Sequence, residues 1–358
     1  MKIAGYEIGS GHRPFIVCEI GAAHNGLLDR ALTLMEQAKR CGADGIKIQA
    51  FTPDTITFPG TRPEFTIQSG PWMGRTLYDL YSETHMPREW YPALFDRARD
   101  LQIPLFASVF SREDLIWMER MNCPAYKIAS CEVVDVDLIE AVGYTRKPII
   151  ISTGMAISEE IDEAIGAYCT GFTSGALPMP GMPLRNIAIL HCVSAYPTDV
   201  RGAGLGALDN MRERWGAVEI AYGLSDHTLG IAAPIVATVK GAAIIEKHLT
   251  LSRKDGGPDD FFASEPDEFI AMVRAVQDAH SALRIETDVA EMAHVPLRRS
   301  LYVVKDVKAG ERFTRNNLRS IRPGNGLPVK QLPALLNMRA RVNVLAGTPM
   351  SEDFVERV

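Results

Sequence analysis

Eight short apolar runs punctuate the chain before residue 250, at 15–20, 45–49, 104–108, 125–129, 148–152, 187–191, 218–223 and 243–247. They do not alternate apolar with polar residues, which is the pattern of parallel strands buried on both faces. Amphipathic stretches separate them, at 29–40, 88–101, 112–121, 158–168 and 229–240, with apolar residues recurring at helical spacing. Eight strand-then-helix units predict a (β/α)8 TIM barrel. An open doubly wound sheet is the alternative. That fold is expected to carry a G-x-G-x-x-G turn after its first strand, where this chain has G-A-A-H-N-G.

The polar residues strengthen the barrel reading. Glu19 and His24 follow the first run, Lys47 and Gln49 end the second, and Ser108 ends the third. Lys127, Ser130 and Glu132 follow at the fourth, Ser152 and Thr153 at the fifth, Ser194 and Tyr196 after the sixth. Ser225 and His227 follow the seventh, and His248 the eighth. In a barrel all these positions line one mouth. A purely structural protein has no need of polar groups at the end of nearly every buried strand.

Three segments break the rhythm. The stretch 51–90 is too long for an ordinary connection. Its Trp72, Tyr78 and Tyr81 either cover the mouth as a lid or simply fasten the excursion to the barrel. The stretch 173–183 is a Gly/Pro-rich loop with no legible chemistry. Past residue 283 the pattern changes. A linker is expected over 284–296, and a small domain over 297–358, against 1–283 for the barrel. Within that domain the expected elements are a strand at 298–307, a short helix at 314–318, a helix at 329–336 and a strand at 340–344. About sixty residues is small for independent stability, so this domain is expected to dock on something.

Composition narrows the class. The 358 residues are 46% hydrophobic and 23% charged, as in ordinary globular proteins. A net charge of −6 without a basic run argues against nucleic acid. Residues 1–15 lack the apolar centre of a signal peptide, and no apolar run reaches membrane-spanning length. The six cysteines are scattered without a C-x-x-C pair. A reducing cytoplasm is the expected compartment.

The candidate chemistry centres on His227 and His248, 21 residues apart, or about one helix-plus-strand unit. On parallel neighbouring strands both imidazoles emerge at one sheet edge, flanked by Asp226 and Glu246. Two neutral imidazoles with open positions suit a borderline divalent cation. A lone strand-end histidine is more often a hydrogen-bonded structural residue; the pair at this spacing shifts the balance. Lys47 and Lys127, beside Ser108 and Ser130, suit a phosphate or carboxylate. A helix starting near Asp135 offers further backbone donors. Either lysine instead forms a Schiff base if the chemistry is that of a lysine aldolase, or pairs structurally with an acid. Glu19 and Glu132 are candidate acid–base groups. Asp259 is placed to orient a hydroxyl or to cap its loop. Arg322, in a Gly/Pro-rich loop, is a candidate to reach an acyl or carboxylate group, or else surface charge.

The ordered motifs C-E-I-G-A-A-H-N-G, G-A-D-G-I-K-I-Q, P-A-Y-K-I-A-S-C-E, I-I-I-S-T-G-M-A, L-H-C-V-S-A-Y-P-T, G-L-S-D-H-T-L-G, I-I-E-K-H-L-T, G-G-P-D and R-P-G-N-G resemble the sialic acid synthases. These are phosphoenolpyruvate-dependent nonulosonic acid synthases, with a barrel followed by an antifreeze-like (SAF) domain. The resemblance implies condensation of phosphoenolpyruvate with an open-chain N-acyl amino sugar and release of phosphate. It implies a divalent metal, Mn2+ first with Mg2+ or Co2+ as alternatives, on His227 and His248. Lys47, Lys127, Ser108, Ser130 and Ser225 would hold phosphoenolpyruvate. Glu19, Glu132, Tyr196 and Asp259 would contact the sugar, and Arg322 of a partner copy would bind the N-acyl group in a domain-swapped homodimer. Within the family, F-T-P-D-T-I-T, L-Y-D-L-Y and G-L-S-D-H-T look most like pseudaminic acid synthases, which use 2,4-diacetamido-2,4,6-trideoxy-altrose. S-T-G-M-A and R-P-G-N-G fit N-acetylneuraminate and legionaminate synthases equally. Val109, Ser194 and Cys131 depart from the family pattern without removing an expected ligand. A catalytically silent sugar-binding protein is the reading from another class; it is expected to have lost a metal histidine or a lysine, and this chain keeps them all.

Overall fold

A computed structural model describes residues 1–174, 184–283 and 294–356. Most of the loop at 173–183 and of the linker at 284–296 lies outside the described residues. The chain divides into two compact units, Met1–Leu283 and Arg284–Val358.

The first unit opens with a short antiparallel hairpin of β1 (Lys2–Ile3) and β2 (Tyr6–Glu7). Eight parallel strands follow: β3 (Phe15–Glu19), β4 (Gly45–Ala50), β5 (Leu105–Val109), β6 (Tyr126–Ile128), β7 (Ile149–Ser152), β8 (Ile187–Cys192), β9 (Ala221–Asp226) and β10 (Ile244–His248). Each pairs with its neighbours in chain order, and β10 returns to β3, closing the barrel. The expected strands are therefore the observed ones, shifted by at most three residues. The largest shift is at β9. There Gly216–Val218 forms a 3-10 turn and Glu219 takes a left-handed φ of 66°, so the strand starts only at Ala221.

Most barrel-strand residues are buried and apolar. The amino-terminal end of the barrel is closed by Phe15 and Phe106 across Gly45, where an added Cβ would lie 2.9 Å from the Phe15 ring and 3.3 Å from that of Phe106. Tyr6 of the hairpin packs edge-on against Phe15, with ring centroids 5.4 Å apart. This end is a packed plug, which leaves the carboxyl end for chemistry.

The excursion after β4 has its own structure: helices at Pro53–Ile56 and Leu77–Thr84, and a bridge from Thr66 to Thr76. Tyr78 donates to Asp54 at 3.1 Å, and Tyr81 packs on Phe51, so both hold the excursion to its own first residues after β4. Trp72 behaves differently and reaches Tyr196 and Phe261, at centroid distances of 6.0 and 6.1 Å.

In the second unit β11 (Ser300–Val303) pairs antiparallel with β12 (Leu318–Ile321) over a core that includes Leu301, Phe313, Val344 and Met350. Two expectations fail here. The short helix at 314–318 is a turn leading into β12, because the Asn317 side chain accepts from the Thr314 N–H and donates to the Arg312 carbonyl, satisfying the backbone locally. The strand at 340–344 is reduced to isolated bridges at Ala340 and Val344. The helix at 329–336 forms as a 3-10 turn followed by Leu332–Leu335.

Candidate active site

Alternate residues of each barrel strand face inward. Register then decides which inward residues meet. Glu19 lies opposite Lys47, Gln49 opposite Ser108, Ser108 opposite Lys127, Glu246 opposite Ser225, and His248 opposite Glu19. The charged groups converge accordingly. Lys47 Nζ pairs with Glu19, donates to Ser108 Oγ at 2.9 Å and lies 3.4 Å from Glu246 Oε1. Lys127 Nζ donates to Ser152 Oγ at 2.7 Å and lies 3.5 Å from the same Glu246 oxygen. Ser225 donates to that oxygen at 3.1 Å. Gln49 Nε2 reaches Glu19 Oε1 at 3.4 Å.

Glu19, Lys47, Lys127 and Glu246 are 0%, 4%, 2% and 3% exposed. Four charges at that depth persist only because they compensate one another. Burial opposes the charge on Glu246, yet Lys127, Lys47 and His227 hold its pKa at about 2. Burial pushes the Glu19 carboxyl up against the pull of Lys47, with Glu246 adding to the rise. Burial lowers Lys127, while Glu19 and Glu246 outweigh burial at Lys47 and raise it.

Sequence reasoning placed Ser152 at the mouth and Glu246 beside His248 but assigned neither to the lysine cluster. Asp226 and Glu246 had equal standing as acids beside the histidines, but the pleat separates them. Glu246 faces the lysines, whereas Asp226 pairs with Lys247. The available signal was the two-residue period, which puts Glu246 on the face of His248 and Ser225 on that of His227. The hydroxyl that Lys127 bonds is that of Ser152, while Ser130 Oγ accepts from Gly154 N at 3.1 Å. An added Cβ on Gly154 would lie 2.6 Å from Ser194 Oγ and 2.8 Å from Ser130 Oγ, so the two serines flank one glycine. The helix near Asp135 (Val136–Tyr144) offers no open anion cradle, since the Asp135 carboxylate caps it through the Leu138 N–H at 3.0 Å.

The imidazoles of His227 and His248 have centroids 5.5 Å apart. His227 Nδ1 lies 2.9 Å from the Val193 carbonyl, an acceptor that fixes the proton there and leaves Nε2 free to ligate. His248 Nδ1 is buried without a hydrogen-bond partner and lies 3.6 Å from Asp259 Oδ2. Gly21 borders the gap at φ 50°. A Cβ there would come within 2.3 Å of Asp259 Oδ2 and 3.0 Å of His248 Nδ1. Burial and nearby cations, His227 among them, hold His248 well below the usual histidine pKa. A buried His248 nitrogen without a partner, 3.6 Å from a carboxylate oxygen and beside a second imidazole, fits a divalent cation. Among the described residues no cluster of three or more His, Cys, Asp or Glu side chains is arranged to hold a metal ion.

Aromatic rings wall this end. Tyr196 packs on His227 at 4.2 Å, Phe262 on His248 at 4.9 Å, and Trp72 of the excursion on Tyr196. Asp259 accepts from the Ala22 N–H at 2.7 Å, and burial raises its pKa to about 6. Burial raises Glu132 to about 7, and its Oε2 is buried without a partner. Arg322 belongs to the second unit, where it is exposed.

A family model described as the NeuB family matches residues 34–287. The chain belongs to the NeuB family. A SAF domain model matches residues 298–356. The pseudaminic acid synthase of Helicobacter pylori is 38% identical over 96% of this chain and 98% of its own length. The N,N'-diacetyllegionaminic acid synthase of Legionella pneumophila is 28% identical over 97% of this chain and 96% of its own. The structure of an N-acetylneuraminic acid (sialic acid) synthetase from Leptospira borgpetersenii, in complex with citrate, superposes with a TM-score of 0.70 at 26% identity, over 82% of this chain and 94% of that one.

Proposed function

We propose that this NeuB-family enzyme is a phosphoenolpyruvate-dependent nonulosonic acid synthase. It condenses phosphoenolpyruvate with 2,4-diacetamido-2,4,6-trideoxy-altrose, forms pseudaminic acid and releases phosphate. Relatives named as sugar-acid synthases make it an enzyme of the condensing transferase kind. The altrose sugar is favoured by the higher identity to a pseudaminic than to a legionaminic acid synthase. The observation that carries the reading is the convergence of two buried lysines, linked through Glu246, with two imidazoles at one barrel end.

In this reading Lys47 and Lys127, with Ser108, Ser130, Ser152 and Ser225, hold the phosphate and carboxylate of phosphoenolpyruvate. The anion takes over the role that Glu19 and Glu246 play as counter-ions. His227 and His248 hold a divalent ion, Mn2+ first and Mg2+ or Co2+ as alternatives. When bound, that ion supplies Lewis acidity toward the sugar aldehyde. C3 of phosphoenolpyruvate attacks the aldehyde carbon; the aldehyde oxygen takes up a proton, water adds at C2 with loss of a proton, and the C2–O bond to phosphate breaks. Glu132, whose carboxyl burial pushes up to about 7, is the group that donates that proton. Asp259 and Glu19 accept from the water or orient sugar hydroxyls. Tyr196, Gln49 and Ser194 border the sugar, and Trp72 closes over it.

Arg322 is assigned to the N-acyl group of a sugar bound by the partner copy, in a domain-swapped homodimer. Support comes from Leu27, Met73, Met155, Ile157 and Leu229, which lie on four loops at the carboxyl end of the barrel at exposures of 61%, 69%, 70%, 59% and 52%. Apolar side chains at such a rim call for a cover. No described helix is long and apolar enough to cross a membrane, and the proposed compartment is the cytoplasm.

His227→Ala and His248→Ala are each expected to abolish metal-dependent phosphate release with unchanged circular dichroism. Wild-type turnover in either overturns the metal assignment. The lowered pKa of Lys127 favours one second reading, a Schiff-base aldolase. A borohydride-trapped adduct at Lys127 together with full activity in chelator would support that reading instead.

A further inference from the structure

On the outer face of β9 and β10 sits a buried ion pair that the reaction does not use. Lys247 Nζ donates to Asp226 Oδ2 at 2.6 Å and to the Thr228 carbonyl at 2.6 Å. Asp226 Oδ1 accepts from the Thr228 N–H at 2.9 Å. Both side chains are buried, at 3% and 2% exposure. Because side chains alternate along a strand, Lys247 and Asp226 point away from the barrel interior that Glu246, His248, Ser225 and His227 face.

The acceptors of Lys247 are the residues on either side of His227. Lys247 itself is the residue before His248, and its strand is in register with Asp226. One ammonium group therefore ties the backbone of one histidine to both flanks of the other. Other contacts hold His227 from elsewhere: its carbonyl accepts from Thr198 N at 2.9 Å, and its Nδ1 lies 2.9 Å from the Val193 carbonyl and 3.9 Å from Cys192 Sγ. A buried ion pair is a poor way to gain stability alone, since apolar replacements of similar volume often serve as well or better. What it supplies is a fixed geometry.

We infer that Lys247 and Asp226 are positioning residues that set the separation of His227 and His248 and so the affinity of the site for a divalent cation. They touch neither metal nor substrate. The inference rests on the metal reading of the two histidines given above. Partners that orient metal ligands from outside the site are typically worth about 10–100-fold in metal affinity.

The test uses the full-length protein stripped of metal and titrated with Mn2+, reading free Mn2+ by electron paramagnetic resonance. Two variants are compared with wild type: K247M/D226L, which removes both charges so that no lone charge stays buried, and D226N, which keeps an acceptor for the lysine. Thermal melting of the metal-free proteins runs alongside. The double variant is expected to melt near wild type and to bind Mn2+ at least tenfold more weakly. D226N is expected to shift in the same direction by a smaller factor. A folded double variant with Mn2+ affinity within about twofold of wild type would overturn the inference, as would loss of folding in both variants, which would make the pair a stability element. Wild-type protein that binds no Mn2+ would overturn the metal reading itself, and the inference with it. Weakened variants beside a binding wild type therefore separate the two claims.

Discussion

Replacing Glu132 by glutamine is expected to stabilise the protein above neutral pH while slowing turnover. The carboxyl carries an unpartnered buried oxygen, and burial raises its pKa from 4.5 to about 7. A folded-state pKa above the unfolded value means that ionisation opposes folding. Below pH 4.5 the group is protonated in both states and costs nothing. Between 4.5 and about 7 the unfolded chain ionises first, and stability falls as pH rises. Above that range the full penalty applies, which for a shift of this size is about 3 kcal/mol at roughly 1.4 kcal/mol per pKa unit. Glutamine cannot ionise, so the variant escapes the penalty. Urea unfolding of metal-free wild type and E132Q at pH 5 and pH 8.5 measures it. The expected result is a gain of up to about 3 kcal/mol at pH 8.5 and little at pH 5. Phosphate release is expected to lose its limb near neutrality, with kcat reduced more than either KM. Equal effects on stability at both pH values, or a loss at pH 8.5, would refute the burial argument.

Other outcomes follow from single distances. Gly21→Ala places a methyl 2.3 Å from Asp259 Oδ2 and 3.0 Å from His248 Nδ1, on a backbone at φ 50°; Mn2+ binding by the metal-free protein is expected to disappear, and retained binding would show that the gap is not the ion's. Trp72→Ala removes the excursion's contact with Tyr196 and is expected to raise the KM for the sugar while sparing that for phosphoenolpyruvate; parallel rises would make Trp72 a structural fastener. Arg322→Ala is expected to raise the sugar KM far more than the phosphoenolpyruvate KM, and, at a sugar concentration too low for R322A alone to turn over, mixing it with inactive H248A is expected to restore activity if the arginine acts across a dimer. No recovery in mixtures that exchange subunits would argue against the swap.

Most of the barrel was legible because parallel strands buried on both faces are mainly apolar, and polar residues such as Lys47, Lys127 and His248 stand out within those runs. The two histidines and two lysines stood out for that reason. Glu246 and Ser152 did not, because their meaning depends on register: only strand pairing shows that one Glu246 oxygen lies between Lys47 and Lys127. The two-residue period alone separates Asp226 from Glu246, which face different sides of one sheet. The second unit was less legible. Its chain makes short bridges and side-chain-supported turns, so at Asn317 local hydrogen bonding replaced the helix that the residue pattern favoured.

The most direct measurement is phosphate release from phosphoenolpyruvate with Mn2+ present. Three sugars run in parallel: 2,4-diacetamido-2,4,6-trideoxy-altrose, its mannose-configured counterpart and N-acetylmannosamine. Turnover is expected with the altrose sugar, well above the other two. No phosphate release with any of the three, from folded and metal-loaded protein, would contradict it.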